Sequence, residues 1–559
     1  MTSKSLRHAG SRLQSHILPL ALGTIVAGSL FAAQPARAEM VTELLDLLKA
    51  KGAITQAEYD RLKARHDAEQ KANTDVKDNK VRAAEAKARE AEAKAREAEA
   101  KARKDPLRAA DMPTGPLTTK APVQYVTVLP NCVGIRVGAV DICTKGDISF
   151  FGIEQFPDKR AFLPVINGGL ATAAQQNSNS IRGGLLPSSF QVSLTTHQLG
   201  IDVGAYFGIF TGGNNVNWGA FGANNGGFPV SLGTAGVDFR EAYGTLGTPT
   251  FGTVKIGRDI GIFASDAILN DLTLLGSGTP AANFAPGNTT LGRIGIGYLY
   301  TDFIPQITYT SPKWSGFSWT VGAFTPYSQV PFSGDPESAT MTGHDTPGGQ
   351  AGLKWAGEIA PAVKLQVSTS GIVQEHKTDC TAAIPVFGPS SCVTNVPVFV
   401  SDNELPVNHS VTAWAVDGFA RLDLYGFSFV GYAYTGKGVG TTALFFDGVS
   451  DEGVARRSSG GYAQGSYTFN DLFTVGGSWG VSQLNTAGII DSVDILAQCT
   501  ALVQVNCLVR RNESWIGFAR YKLTDWVKLQ AEFVHTTAEN HINQKISDNA
   551  VIAGTTFFW

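Results

Sequence analysis

The chain has 559 residues, of which 43% are hydrophobic, 17% charged and 10% aromatic, with 62 glycines and 25 prolines. That is neither a disordered polyelectrolyte nor a bundle of membrane helices. A formal net charge of −3 gives no basic footprint for nucleic acid, so no nucleic-acid partner is expected.

The charges divide the chain into blocks. Residues 1–38 contain Lys4, Arg7, Arg12 and Arg37 and no acid. An apolar run from Ile17 to Ala33 follows, closing on Pro35-Ala36-Arg37-Ala38. The run is shorter than the ~20 residues of a spanning helix and ends in a small-x-small site, so it reads as a secretory signal peptide cleaved after Ala38. Residues 39–105 hold 16 basic and 15 acidic side chains. Residues 41–50 carry a leucine face, Gly52 interrupts it, and Thr55-Gln56-Ala57-Glu58 is a capping box that opens a second helix. From Ala84 a seven-residue unit repeats (84–90, 91–97, 98–104), with alanines at 3,4 spacing and pairs such as Glu85/Arg89 at i,i+4. The pattern predicts a coiled-coil stalk or a solvated helical spacer. Pro106, Pro113 and Pro116 begin a linker over 106–120.

The last 454 residues carry only 25 basic and 33 acidic side chains and are rich in Gly, Thr, Ser and Asn. No apolar run of about 18 residues follows residue 38, so any membrane crossing there must be made by strands. In Val527-Lys528-Leu529-Gln530-Ala531-Glu532-Phe533 the odd positions are apolar and the even ones polar. The same period of two recurs in 363–368, 473–482 and 551–559. Sixteen candidate strands fall near 145–154, 188–196, 200–210, 237–247, 251–258, 300–310, 316–325, 348–358, 361–373, 410–420, 426–434, 460–469, 473–483, 513–523, 526–536 and 549–559. Short turns such as Asn470-Asp471 and Thr524-Asp525 separate some, and long stretches (211–236, 326–346, 375–409, 484–512) separate others. The expected fold is all-β over 121–559: an antiparallel transmembrane barrel of 16 strands, or 18 with one further hairpin, around an aqueous lumen. Its lipid-facing belt makes outer-membrane lipid an expected partner.

Six cysteines fit export. Cys132/Cys143, Cys380/Cys392 and Cys499/Cys507 lie close in pairs, so three local disulfides are the simplest of 15 connectivities. A metal site is disfavoured because no His or Cys cluster has zinc spacing, the nine His being scattered. Gly476-Gly477-Ser478-Trp479-Gly480 matches G-x-S-x-G, but inside an alternating strand and not at a strand-to-helix elbow. Gly436-Lys437-Gly438-Val439-Gly440 lacks the Lys-Ser/Thr and βαβ context of a phosphate loop and reads as an extracellular loop. Neither an enzyme nor a cofactor is expected.

Phe239-Arg240-Glu241-Ala242-Tyr243-Gly244-Thr245-Leu246 followed by Phe251-Gly252-Thr253-Val254-Lys255-Ile256-Gly257-Arg258 resembles a strand-turn-strand of Gram-negative outer-membrane porins. Tyr309-Thr310-Ser311-Pro312-Lys313-Trp314-Ser315-Gly316-Phe317 resembles their Tyr-x-Ser-Pro hairpin, and the terminal Phe557-Phe558-Trp559 their closing aromatic strand. The stretch Tyr125–Gly146, with Cys132, Cys143 and Lys145, resembles the two-cysteine start of α-proteobacterial porins. The helical prefix is similar to that of some trimeric porins of the dicarboxylate-channel type.

The resemblance implies a homotrimer whose protomers each form a passive pore for small hydrophilic solutes and ions. It also implies recognition of Trp559 by the barrel assembly machinery. The helical segment would lie in the periplasm and could meet peptidoglycan. The chain between Asp259 and Arg293 would fold inward as the constriction, with Asp259, Asp266 and Asp271 facing the wall residues Arg240 and Arg258. The family's third arginine is expected near Asp302, where this chain has an acid, and Arg293 is the nearest replacement. The other readings are a carboxylate-selective channel and a plugged structural or adhesive barrel tethered by its stalk.

Overall fold

A computed structural model describes residues 126–129, 132–159, 164–212, 237–281, 283, 289–331, 335–378, 409–500 and 506–559, together with parts of 49–64. The signal sequence, the heptad repeat, the linker, Cys380 and Cys392 lie outside the described residues. Within residues 1–122, Tyr59 N donates to Thr55 O at 3.0 Å, so a helical turn opens at the expected cap, and Gln56 donates to Asp60 one turn on.

Residues 123–559 form a second unit. Sixteen long strands make its wall: β1 (Val140–Pro157), β2 (Ser188–Gln198), β3 (Ile201–Thr211), β4 (Val237–Thr248), β5 (Gly252–Ile260), β6 (Phe303–Thr310), β7 (Phe317–Phe324), β8 (Gly348–Ala360), β9 (Val363–Lys377), β10 (Ser410–Leu424), β11 (Phe427–Lys437), β12 (Arg457–Phe469), β13 (Phe473–Leu484), β14 (Asn506–Lys522), β15 (Val527–Asn540) and β16 (Lys545–Phe558). Each pairs antiparallel with the next, and β16 returns to β1 from Asp548↔Pro157 to Phe558↔Asp147, closing the barrel at 16. Beyond the last strand Trp559 exchanges backbone hydrogen bonds with Gly146, at 3.3 and 3.2 Å.

The alternation explains the closure. In β15 the apolar Leu529 and Phe533 are 41% and 52% exposed, whereas Gln530 and Glu532 on the opposite face are buried. A soluble sheet would reverse this. Apolar residues outside and polar residues inside suit a wall with lipid around it.

The tight turns have the twist that hairpins require: Asn470 and Asp471 both adopt left-handed φ, 49° and 57°. β1 is 18 residues long, well beyond 145–154. Its lower half pairs with a short strand, Val133–Val137, and its upper part with Ser178–Arg182. The Cys132–Cys143 disulfide staples that lower hairpin. The 484–512 stretch holds a helix, α2 (Ile489–Thr500), whose end is tied to β14 by Cys499–Cys507. Both bonds are among the expected pairs.

Candidate pore constriction

The chain from Gly261 to Asp302 leaves the wall between β5 and β6 and turns into the lumen. Among its described residues the one helical element is the turn α1 (Ser265–Leu269). From there it follows the inner face of the barrel, and strand after strand contributes a polar side chain to hold it. Gln350 of β8 accepts the N–H groups of Ile262 and Phe263 at 2.7 and 2.9 Å. Asp417 of β10 accepts from Ala264 N at 3.0 Å. Gln464 of β12 donates to Asn270 O and accepts from Leu272 N, at 2.6 and 3.1 Å. Arg520 of β14 donates to Leu272 O at 3.1 Å, and Glu532 of β15 accepts from Ser277 N and Gly278 N at 3.1 and 2.7 Å. Loop carbonyls and N–H groups that would otherwise be unpaired in a crowded lumen thus find partners on the wall.

Close approach matters as much as pairing. A Cβ on Gly276 would overlap both Gln530 Nε2 and Glu532 Oε1. A Cβ on Gly480 would lie 2.6 Å from Arg293 Nη1. The G-x-S-x-G run of β13 is therefore a docking surface for the loop: Gly480 leaves room, and Ser478 Oγ accepts from Arg293 Nε.

The charged residues singled out from the sequence have diverse placements. Asp266, on α1, accepts from Lys354 Nζ at 2.7 Å, Gln366 Nε2 at 3.1 Å and Ser368 Oγ at 2.7 Å, fastening the helix to β8 and β9. Asp271 is buried inside the loop, where it accepts from Thr273 N, Thr273 Oγ1 and Tyr298 OH at 2.9, 2.8 and 2.7 Å. Burial pushes its carboxyl upward, and Arg293 opposes the rise. Arg293 is fully buried and also donates to Ser514 Oγ at 3.1 Å; desolvation lowers its guanidinium to about 10. Asp302 closes the neck of the loop: its backbone carbonyl accepts from Gly261 N at 3.0 Å, and its side chain accepts from Phe303 N at 2.7 Å.

On the wall, Arg240 is buried against Asp238 Oδ2 at 3.2 Å, with Phe210 and Phe303 beneath its guanidinium. Asp259 pairs with Lys255 Nζ. Arg258 stands in register with Ala242 and Pro305, both exposed, on the face that carries Ile256, which is 53% exposed. That is the outward register of β5. The lumen-facing cation of this strand is Lys255, whose ammonium lies 5.0 Å from the Tyr243 ring centre.

Arg240 and Asp266 border open space as expected, whereas most of the other residues that do so carry no such expectation from the sequence. Between the loop and β1–β6 lies a cavity of about 260 Å³ lined by Lys145, Gln191, Arg240 and Glu241 on the wall and Ile268, Leu269 and Leu274 on the loop. A second, of about 300 Å³, lies beneath α1, with Lys255, Thr308, Thr320 and Lys354 around it. Counting in twos along β5 points to Lys255; nothing in the sequence ties Lys145 or Lys354 to the loop.

Above the constriction the barrel mouth is apolar. Tyr298, Leu299 and Tyr300 pack with Tyr327 and Val330 of the β7–β8 loop and with Val439, Leu444, Phe445 and Phe446 of the β11–β12 loop. Tyr300 N donates to Thr442 O at 2.9 Å across two of these segments. The Gly436–Gly440 run accordingly opens a loop that folds into the mouth, a departure from a wholly water-filled lumen. The physical cause is the run Ala443-Leu444-Phe445-Phe446, which is too apolar to remain outside.

No family model and no curated protein matches the sequence. Among solved structures the chain is similar to the outer membrane channel DcaP of Acinetobacter baumannii, with a TM-score of 0.51 and 12% identity, covering 75% of this chain and 98% of that one. An anion-selective porin from Comamonas acidovorans has a TM-score of 0.45 at 12% identity, covering 75% and 100%. OprB of Pseudomonas putida has a TM-score of 0.42 at 13% identity, covering 75% and 94%. The likeness to DcaP is one of fold: together with the geometry above it defines a closed, membrane-type β-barrel with an inward-folded loop.

Proposed function

We propose that this protein is an outer-membrane porin, a passive channel for small hydrophilic solutes and ions. The observation that carries the reading is the loop of residues 261–302, fastened across a polar lumen inside a 16-stranded barrel with an apolar exterior. Such a loop narrows a pore without filling it, and the groups left facing the passage sort solutes by charge. We place the route along β1–β6, between Lys145, Glu241 and Lys255 on the wall and the edge of the loop. In this reading the chain is exported by residues 1–38, inserted through its terminal aromatic strand and assembled as a homotrimer. Its helical segment, 39–105, then stands in the periplasm, within reach of peptidoglycan.

Two narrower readings draw on particular features. Basic side chains at lumen-facing positions on β1, β5, β8, β10, β14 and β15 (Lys145, Lys255, Lys354, Arg421, Arg520 and Lys528) would favour carboxylates. Several are already bonded, however: Lys255 to Asp259, Lys354 to Asp266 and Arg421 to Asp423. The apolar cluster at the mouth favours a plugged structural barrel.

Planar-bilayer recording of the refolded protein under a KCl gradient separates them. Open steps with a measurable reversal potential are expected, and a strongly anionic one would favour the carboxylate reading. Verified insertion without conductance would overturn the channel reading in favour of the plug.

A further inference from the structure

Three segments at the long-loop end of the barrel meet through their carboxylates. Glu337 comes from the β7–β8 loop, Asp451 and Glu452 from the β11–β12 loop, and Asp494 from α2. One carboxylate oxygen each from Glu337, Asp451 and Asp494 lies within 4.8 Å of the other two. The two loops are already joined here by backbone: Asp451 N donates to Glu337 O at 3.1 Å, and Ala339 N to Val449 O at 3.0 Å.

Such a gathering of like charges needs a counter-charge, and the nearest cation is committed elsewhere. Arg456 is fully buried, with its guanidinium on the Asp491 carboxylate at 2.7 and 3.0 Å, on Ser338 Oγ at 2.6 Å and on the carbonyls of Asp447 and Glu337. Asp451, by contrast, is 8% exposed, and its Oδ1 is buried with no donor. Glu452 Oε1 is likewise buried without a donor. The Asp451 carboxylate itself meets that of Glu452, a contact that two anions make only around a shared proton or a cation. An orphaned, buried anionic oxygen inside a ring of acids is the arrangement a cation completes.

We propose that Glu337, Asp451, Glu452 and Asp494 hold a calcium ion that clamps the β7–β8 loop, the β11–β12 loop and α2 together over the barrel mouth. Three oxygens within 4.8 Å of one another share a centre no more than about 2.8 Å from each, so a small inward movement brings them to the roughly 2.3–2.6 Å of calcium–oxygen bonds. Magnesium, at about 2.0–2.1 Å and with strict octahedral demands, would have to draw the three segments further inward than calcium does. The carboxylates are hard oxygen donors without nitrogen or sulfur, which disfavours zinc and copper. The site stands apart from the channel reading: its test is binding, and either can fail alone. If both hold, calcium fixes the apolar lid that the two loops form at the mouth.

The test uses calorimetric titration of calcium chloride into the full-length protein, refolded in detergent free of lipopolysaccharide after chelator treatment. One calcium per protomer is expected, with a dissociation constant in the range of about 10⁻⁴–10⁻³ M common to extracellular sites, and with magnesium weaker at equal concentration. Asp451→Asn and Asp494→Asn should each weaken binding at least about tenfold, since each removes one of the charged ligands. Both variants are first shown to keep the heat-modifiable gel mobility of a folded barrel. As a second readout, calcium should raise the melting temperature of the wild type and leave that of Asp451→Asn unchanged. Absence of saturable binding, or binding equal in wild type and both folded variants, would overturn the proposal. A melting temperature raised by Asp451→Asn without calcium and insensitive to it in the wild type would identify a proton-sharing cluster and overturn it equally.

Discussion

The two arcs of the barrel wall use the same alternating sequence for different ends. Along β8–β15 the inward polar side chains are mostly consumed by the loop: Gln350, Asp417, Gln464, Arg520 and Glu532 each bond its backbone. Along β1–β5 Gln155 still donates to the loop at Ala281 O, but Lys145, Gln191 and Glu241 border a cavity. Polar alternation therefore states which face of a strand looks inward, and only the route of the loop decides whether that face binds protein or solute. The comparison can be broken by freeing the loop from its arc, which should change the pore, or sharpened by altering the open arc, which should change selectivity alone.

Removing Arg293 should have the largest effect. Arg293→Ala leaves Ser478 and Ser514 without their donor and leaves buried Asp271 without its nearest positive charge. Stripping one partner from a buried charged network costs about 3–5 kcal/mol. The melting temperature should fall, and single-channel recordings should show larger or noisier openings as the returning limb of the loop detaches. Gly276→Val follows. Its Cβ would overlap the ends of Gln530 and Glu532, and Glu532 can move aside only by loosening its bonds from Ser277 and Gly278, a cost of about 1–3 kcal/mol. Conductance should again rise, here with the Arg293 anchor intact. Glu532→Gln is gentler: the shape is kept, but the charge that strengthens the bonds from Ser277 and Gly278 is lost, worth about 1–2 kcal/mol. If all three variants conduct like the wild type, the loop does not set the pore.

How much of this was legible follows the same division. All 16 strands could be read, because a strand facing lipid on one side and water or polar side chains on the other must alternate, and alternation is local. The tight hairpin at Asn470-Asp471 and the Cys132–Cys143 and Cys499–Cys507 pairs were legible for the same reason: each closes within a few residues. The helix α2 was not, because its apolar residues are split between a buried set, Ile495 and Cys499, and an exposed set, Ile489 and Val493, so no single face stands out. The constriction was legible as a location but not as a set of roles. Asp266, Asp271 and Arg293 are charged residues in the right segment, yet what they touch depends on Lys354, Tyr298 and Ser478, from 27 to 185 positions away. Arg258 shows the cost of reading a motif without counting in twos: in Val254-Lys255-Ile256-Gly257-Arg258 the alternation that sends Ile256 outward sends Arg258 with it.

The smallest expected effect on stability is also the most direct test of which arc conducts. Lys145 is on the inward face of β1 and shares its cavity with Glu241, whereas Arg258 is in outward register on β5. Lys145 is exposed and Arg258 half-buried without a bond at its Nε, so replacing either should cost less stability than any of the loop variants. Their effects on permeation should diverge. Lys145→Glu reverses a charge inside a narrow, low-dielectric passage and should move the reversal potential toward cation preference under a KCl gradient. Arg258→Ala should leave it where it was. A shift from Arg258→Ala with none from Lys145→Glu would place the permeating ions along a route other than the β1–β6 side, and would return the constriction to the arginine positions of the porin-like motif.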